Sequence, residues 1–114
     1  MKRIHLILTA AVMSAILVSC SKSEDNDPQT ETPGPKFLAA KAVITSSCAT
    51  SGCHASPANA GGINFETNSA IAAKANDIKT LAVDLGTMPP TGALSAADKT
   101  KISDWVAAGG RITD

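Results

Sequence analysis

The 114-residue sequence predicts an all-α fold of about four short helices, and three observations carry that prediction. Apolar residues recur at three- and four-residue intervals around Phe37 and again around Trp105, the spacing of one helical face. The period-two alternation of β-branched and aromatic residues that marks strands is nearly absent. Glycine and proline clusters at 61–62, 86–90 and 109–110 cut the chain into pieces that suit only short helices. These helices fall within residues 36–114, about half the usual domain size, behind a signal peptide at 1–19 and a flexible tether at 20–35.

The chain begins "MKRIHLILTAAVMSAILVSC". Lys2 and Arg3 precede an apolar run from Leu6 to Val18 that is too short and wrongly flanked to span a bilayer, which is the pattern of a secretory signal. Its end, Leu17-Val18-Ser19-Cys20, resembles the lipobox of bacterial lipoproteins. That resemblance implies a lipidated Cys20 as the mature N-terminus and a chain held on a membrane without crossing it. An ordinary cleavage nearby, with Cys20 irrelevant or paired, is the alternative. Either way the destination is an exported, disulfide-permissive compartment.

The tether, "SKSEDNDPQTETPGP", has no residue able to join a core, and Pro28, Pro33, Gly34 and Pro35 oppose regular structure. Glu24, Asp25, Asp27 and Glu31 outnumber the flanking Lys22 and Lys36, so the segment should stand away from an anionic surface. "SKSED" resembles the acidic patch that sends some bacterial lipoproteins to the outer face of the outer membrane. The expected location is the cell envelope, lipid-anchored, at the outer membrane on its periplasmic face or at the cell surface.

A first helix is predicted over about 36–46, with Phe37, Leu38, Lys41, Ile44 and Thr45 at helical spacing. Small and turn residues make 47–62 a loop ending in Gly61-Gly62, and Ile63 to Phe65 should be extended. A helix over about 67–76 follows, capped by Thr67 or Asn68, with Ile71 and Ala75 inward. Residues 77–85 suit another helical turn or two, with Ile78, Leu81, Ala82 and Leu85 inward, stopped by Gly86 and Pro89-Pro90. The last helix, about 95–108, opens with Ser95 and Asp98 spaced like a capping box, carries Ile102, Trp105 and Val106 on one face, and closes at Gly109-Gly110.

With Phe37, Phe65 and Trp105 as its aromatics, the domain has a thin core. Domains of this size commonly add a disulfide, a metal or a bound group. Leu38, Val43, Ile44, Ile63, Leu94 and their apolar neighbours could close around a flat apolar cofactor. Charges nearly balance, so neither a basic excess nor stacking aromatics point to nucleic acid. Paired carboxylates, a nucleophile triad and a phosphate-cradling loop are all missing, which argues against an enzyme.

The chemistry concentrates in "SSCATSGCHASP". Beyond the signal peptide the chain holds Cys20, Cys48 and Cys53, one histidine, His54, and one methionine, Met88. Two thiols with an imidazole directly after the second are the parts of a covalent haem site, and a methionine thioether is a common sixth ligand. Met88 precedes Pro89-Pro90, which stiffens its loop. The bland alternative is a Cys48–Cys53 disulfide with a surface His54 and Met88 as a gap-filler in the core. Zinc is poorly served, since a structural site wants four ligands. Copper is awkward because Cys53 and His54 are adjacent.

The order "CATSGCH", "GGINF", "MPPTGALSAADKTKISDWVAAGG" resembles the class I c-type cytochrome domains, in particular the small bacterial Met-Pro-Pro group, over most of residues 37 to 112. The resemblance implies a small helical bundle around one covalent haem c, attached through Cys48 and Cys53, with His54 and Met88 as axial ligands of the haem iron. It also implies Trp105 packed between the terminal helices and the haem crevice, and Pro57 in the loop after the proximal histidine. One departure is clear: the family spacing is Cys-x-x-Cys-His, whereas Ala49, Thr50, Ser51 and Gly52 separate the thiols here. The expected function is electron transfer with redox partner proteins of the envelope, alone or as a subunit of an oxidoreductase there. The rival is a haem-free, disulfide-stabilised lipoprotein acting as a binding or structural module.

Overall fold

The computed structural model describes residues 31–114, so the expected signal peptide, the lipidated Cys20 and most of the tether lie outside the described residues. Among the described residues the fold is helical and holds no strand.

Helix α1 spans Pro35–Ser47. Pro35, expected to close the tether, opens the helix instead, because its fixed φ suits the first helical position and the missing N–H has no helical partner there. Gly34 offers no side-chain cap. The Asp114 carboxylate takes that role from the other end of the domain, accepting from Lys36 N at 2.9 Å and Phe37 N at 3.0 Å. The buried face is Phe37, Ala40, Val43 and Ile44. Leu38, expected in the core, is half exposed, and Lys41 donates to Asn68 Oδ1 at 2.7 Å. The inward stripe is therefore turned relative to the expected one, with the small Ala40 at its centre.

Thr67 caps α2, Asn68–Ala73, its side chain accepting from Ala70 N at 3.2 Å. The helix expected to reach residue 76 breaks at Lys74 and resumes as α3, Ala75–Ile78. This continues into a π-helical stretch, Lys79–Asp84. Ile78 and Ala82, four apart, keep the core stripe. Leu81 and Leu85, also four apart, form a second, outer stripe and are exposed rather than inward.

Helix α4, Ala96–Ala107, begins at Ser95, whose Oγ accepts from Asp98 N at 3.2 Å and donates to Asp98 Oδ2 at 2.8 Å. It ends where Gly109 and Gly110 take positive φ and Gly110 N donates to Trp105 O at 3.0 Å. α1 packs on α4 through an edge contact of Phe37 with Trp105, ring centroids 5.7 Å apart. The indole Nε1 donates to Arg111 O at 2.7 Å, so the one polar atom of that buried ring is satisfied. Past the glycines, Ile112 is buried and its carbonyl accepts from Gly34 N at 2.9 Å. Ile71, Ile78 and Phe65 complete the core, with Ile63, Leu94 and Val106 partly buried against it.

Candidate functional site

Cys48 stands at the C-terminal end of α1, where its N–H still donates to Ile44 O at 2.8 Å. The chain then turns tightly. Cys53 N donates to Thr50 O at 2.9 Å, and His54 N returns to Cys48 O at 3.0 Å. Thr50, Ser51 and Gly52 are exposed, so the expanded spacing is absorbed by an outward bulge closed at its base. The bulge points into open space, since a side chain at Gly52 would meet nothing within 4 Å.

Cys48 and Cys53 are free thiols, the first buried and the second half-buried. Burial pushes the Cys48 thiol up from its ordinary value, with the neighbouring Cys53 thiol adding to the shift, so Cys48 stays protonated at neutral pH. His54 lies at a tilt against Phe65, ring centroids 5.1 Å apart. Its Nδ1 is buried without a hydrogen-bond partner. Such an atom ordinarily costs about 1–3 kcal/mol.

A cavity of about 380 Å³ opens beside this turn. Cys48, Cys53 and His54 line it from one segment, and Met88, Pro89 and Pro90 from another. The wall is otherwise largely apolar, including Phe65, Ile78, Leu81 and Ala82. Its two charged side chains, Lys74 and Asp77, pair with each other at 3.1 Å. Thr87 N and Met88 N both donate to Leu81 O, at 2.9 and 3.2 Å, which ties the Met88 loop to the π-helical stretch. The volume falls in the range of small-molecule and cofactor sites.

All four expected cofactor residues of the domain are thus brought to one cavity. Trp105 is not on its wall but wholly buried in the α1–α4 interface, and Pro57 is exposed in the turn after His54. Among the described residues, no group of three or more His, Cys, Asp or Glu side chains converges as a metal site. The donor set is one that haem c would take: two free thiols, an imidazole and a thioether, all on the wall of one largely apolar cavity. Sequence reading did not single out the Lys74–Asp77 pair on the wall, although its i,i+3 spacing is visible in the chain.

Comparison with protein-family models, with curated proteins and with solved structures gives no match to this chain.

Proposed function

We propose that the chain is an electron-transfer c-type cytochrome with one covalently bound haem c, anchored through Cys20 lipid in a bacterial cell envelope. The observation that carries this proposal is the convergence of Cys48, Cys53, His54 and Met88 on one apolar cavity. The two thiols would hold the haem through thioethers, and His54 and Met88 would be its axial ligands. When bound, haem supplies a one-electron iron couple, which the Met88 thioether biases toward the reduced form.

The protein's own part is placement. Pro89 and Pro90 stiffen the Met88 loop, and the Leu81 carbonyl holds its backbone, so little has to move when the charge at the site changes. The largely apolar wall, with Phe65, Ile78 and Ala82, would bury the apolar body of the group. Held by both His54 and Met88, the iron would have no position left for a substrate, which favours a carrier working with redox partner proteins over an enzyme. The lipid anchor and the outer-membrane location rest on the lipobox resemblance and the acidic tether.

The test is an intact mass and a reduced-minus-oxidised visible spectrum of the chain exported with cytochrome c maturation active. A covalent haem adduct with a sharp α-band is expected. A colourless product lighter by the hydrogens of a Cys48–Cys53 disulfide would overturn the proposal and leave the haem-free binding or structural module.

A further inference from the structure

His54 sits in a loop with no helix or strand to hold it, yet an axial ligand has to be held in one orientation. Two links join it to the chain that returns past it: Phe65 N donates to His54 O at 2.8 Å, and the two rings are in contact. Directly beyond this pair lies a polar cluster. Glu66 Oε2 accepts from Ser56 Oγ at 2.9 Å, from Ser56 N at 3.3 Å, and from Asn64 Nδ2. Asn64 in turn accepts from Glu66 N at 2.7 Å and donates to Asn59 Oδ1 at 2.8 Å.

Ser56 follows His54 by two residues and Glu66 follows Phe65 by one, so the cluster joins the two segments, and none of Ser56, Asn64 and Glu66 lines the cavity. The carboxylate has no cation among these partners. Its donors are a hydroxyl, a backbone amide and a side-chain amide, all gathered on one oxygen. A carboxylate is acceptor-only and can take several donors at once, which a hydroxyl or neutral amide does less strongly.

We infer that Glu66 is the positioning residue for His54, holding the Ser56 segment against the Phe65 segment so that the imidazole is fixed against Phe65. The inference rests on the haem reading for its consequence, because a fixed imidazole sets the strength of the axial bond. Its geometry does not depend on that reading.

Glu66→Ala and Glu66→Gln separate the possibilities, each measured by amide hydrogen exchange and, in the haem-loaded chain, by midpoint potential. In Glu66→Ala the Phe65 amide should exchange about tenfold faster, while the amides of α4 keep their protection. Glu66→Gln should retain most of that protection, since its amide oxygen still accepts from Ser56. Any shift of potential common to both variants is the lost charge, and a further shift confined to the alanine variant is the lost positioning. Unchanged Phe65 exchange, an increase spread equally over α4, or potentials alike in the two variants would each overturn the inference. A colourless wild-type chain would sink the haem reading instead. Run on that same colourless chain, the exchange comparison would still decide whether Glu66 holds His54.

Discussion

Met88 and Gly110 show how differently single residues are constrained. Met88 is 37 % exposed at the cavity wall, so its truncation removes little core contact. Met88→Ala should therefore leave the unfolding midpoint nearly unchanged and, if the chain carries the proposed haem, open its iron to exogenous imidazole. A spectral titration checks this, and an affinity equal to that of the unmutated protein would dismiss Met88 as the sixth ligand. Gly110 is the opposite case. Its φ is +65°, and a Cβ there would stand 2.6 Å from the Ala75 Cβ, where the end of α4 meets α3. Gly110→Ala combines left-handed strain with overpacking, for an expected loss of about 2–4 kcal/mol. The midpoint in urea reads that loss, and a Gly110→Ala protein as stable as the original would mean that α3 can move away without cost. That Cys48, Cys53, His54 and Met88 belong together was legible because the chain is so poor in reactive side chains: one histidine and one methionine beyond the signal peptide left few combinations, and the four line one cavity. Glu66 was not legible, since a lone surface carboxylate looks the same in sequence whether it holds a loop or faces water.

At the scale of elements, the caps decide where helices begin, and they differ in how far away they come from. α4 carries its own: Ser95 and Asp98 are three residues apart, and the sequence placed this helix to within a residue. α1 borrows its cap from Asp114, a partner that no local pattern reveals. Ser95→Ala should cost about 1 kcal/mol and Asp114→Ala about 1–2 kcal/mol, the latter also leaving the Lys36 and Phe37 amides to exchange faster. Equal stability of the Asp114 variant would show that water replaces the carboxylate without loss. Asp98 adds a pH dependence. Its hydrogen bond from Lys101, helped by that from Ser95, holds its carboxyl below the usual value. A depressed folded-state value means that the stabilisation is present above the unfolded value near 3.8 and is lost as pH falls through the lower one. Thermal scans between pH 5 and pH 3 should show a steeper loss for the original than for Asp98→Asn; parallel curves would remove Asp98 from the account. The expected stripes failed where apolar residues lie on more than one helical face. Leu38 beside Phe37, and Leu81 with Leu85 beside Ile78 with Ala82, each offer two consistent stripes, and only packing against α4 chooses between them.

For the whole molecule, the core divides into two halves of unlike completeness. Four of its five largest fully buried side chains, Phe37, Ile44, Ile102 and Trp105, belong to α1 and α4, where packing is closed on all sides. The other half, around Cys48, Phe65, Ile78 and Ala82, has packing on one side and the 380 Å³ cavity on the other. Apolar side chains on an open cavity wall keep part of their surface in water and lack packing partners on that side, so this half should open more readily than the first. A domain this small has only on the order of 3–5 kcal/mol from a single core, and a covalently held haem, present on the folded and the unfolded chain alike, would add the burial and iron ligation that only the folded state provides. The haem-free chain is therefore expected to show fast amide exchange over residues 75–90 with α1 and α4 still protected, and a melting temperature well below that of the loaded chain. Each kcal/mol contributed by the bound group should raise the midpoint by roughly 4–8 °C. Loading should slow exchange over 75–90 first, because those residues carry the Met88 loop and the outer cavity wall. If the haem-free chain protected both halves equally, the cavity would be a rigid, self-supporting feature, and the thin core would no longer argue for a bound group.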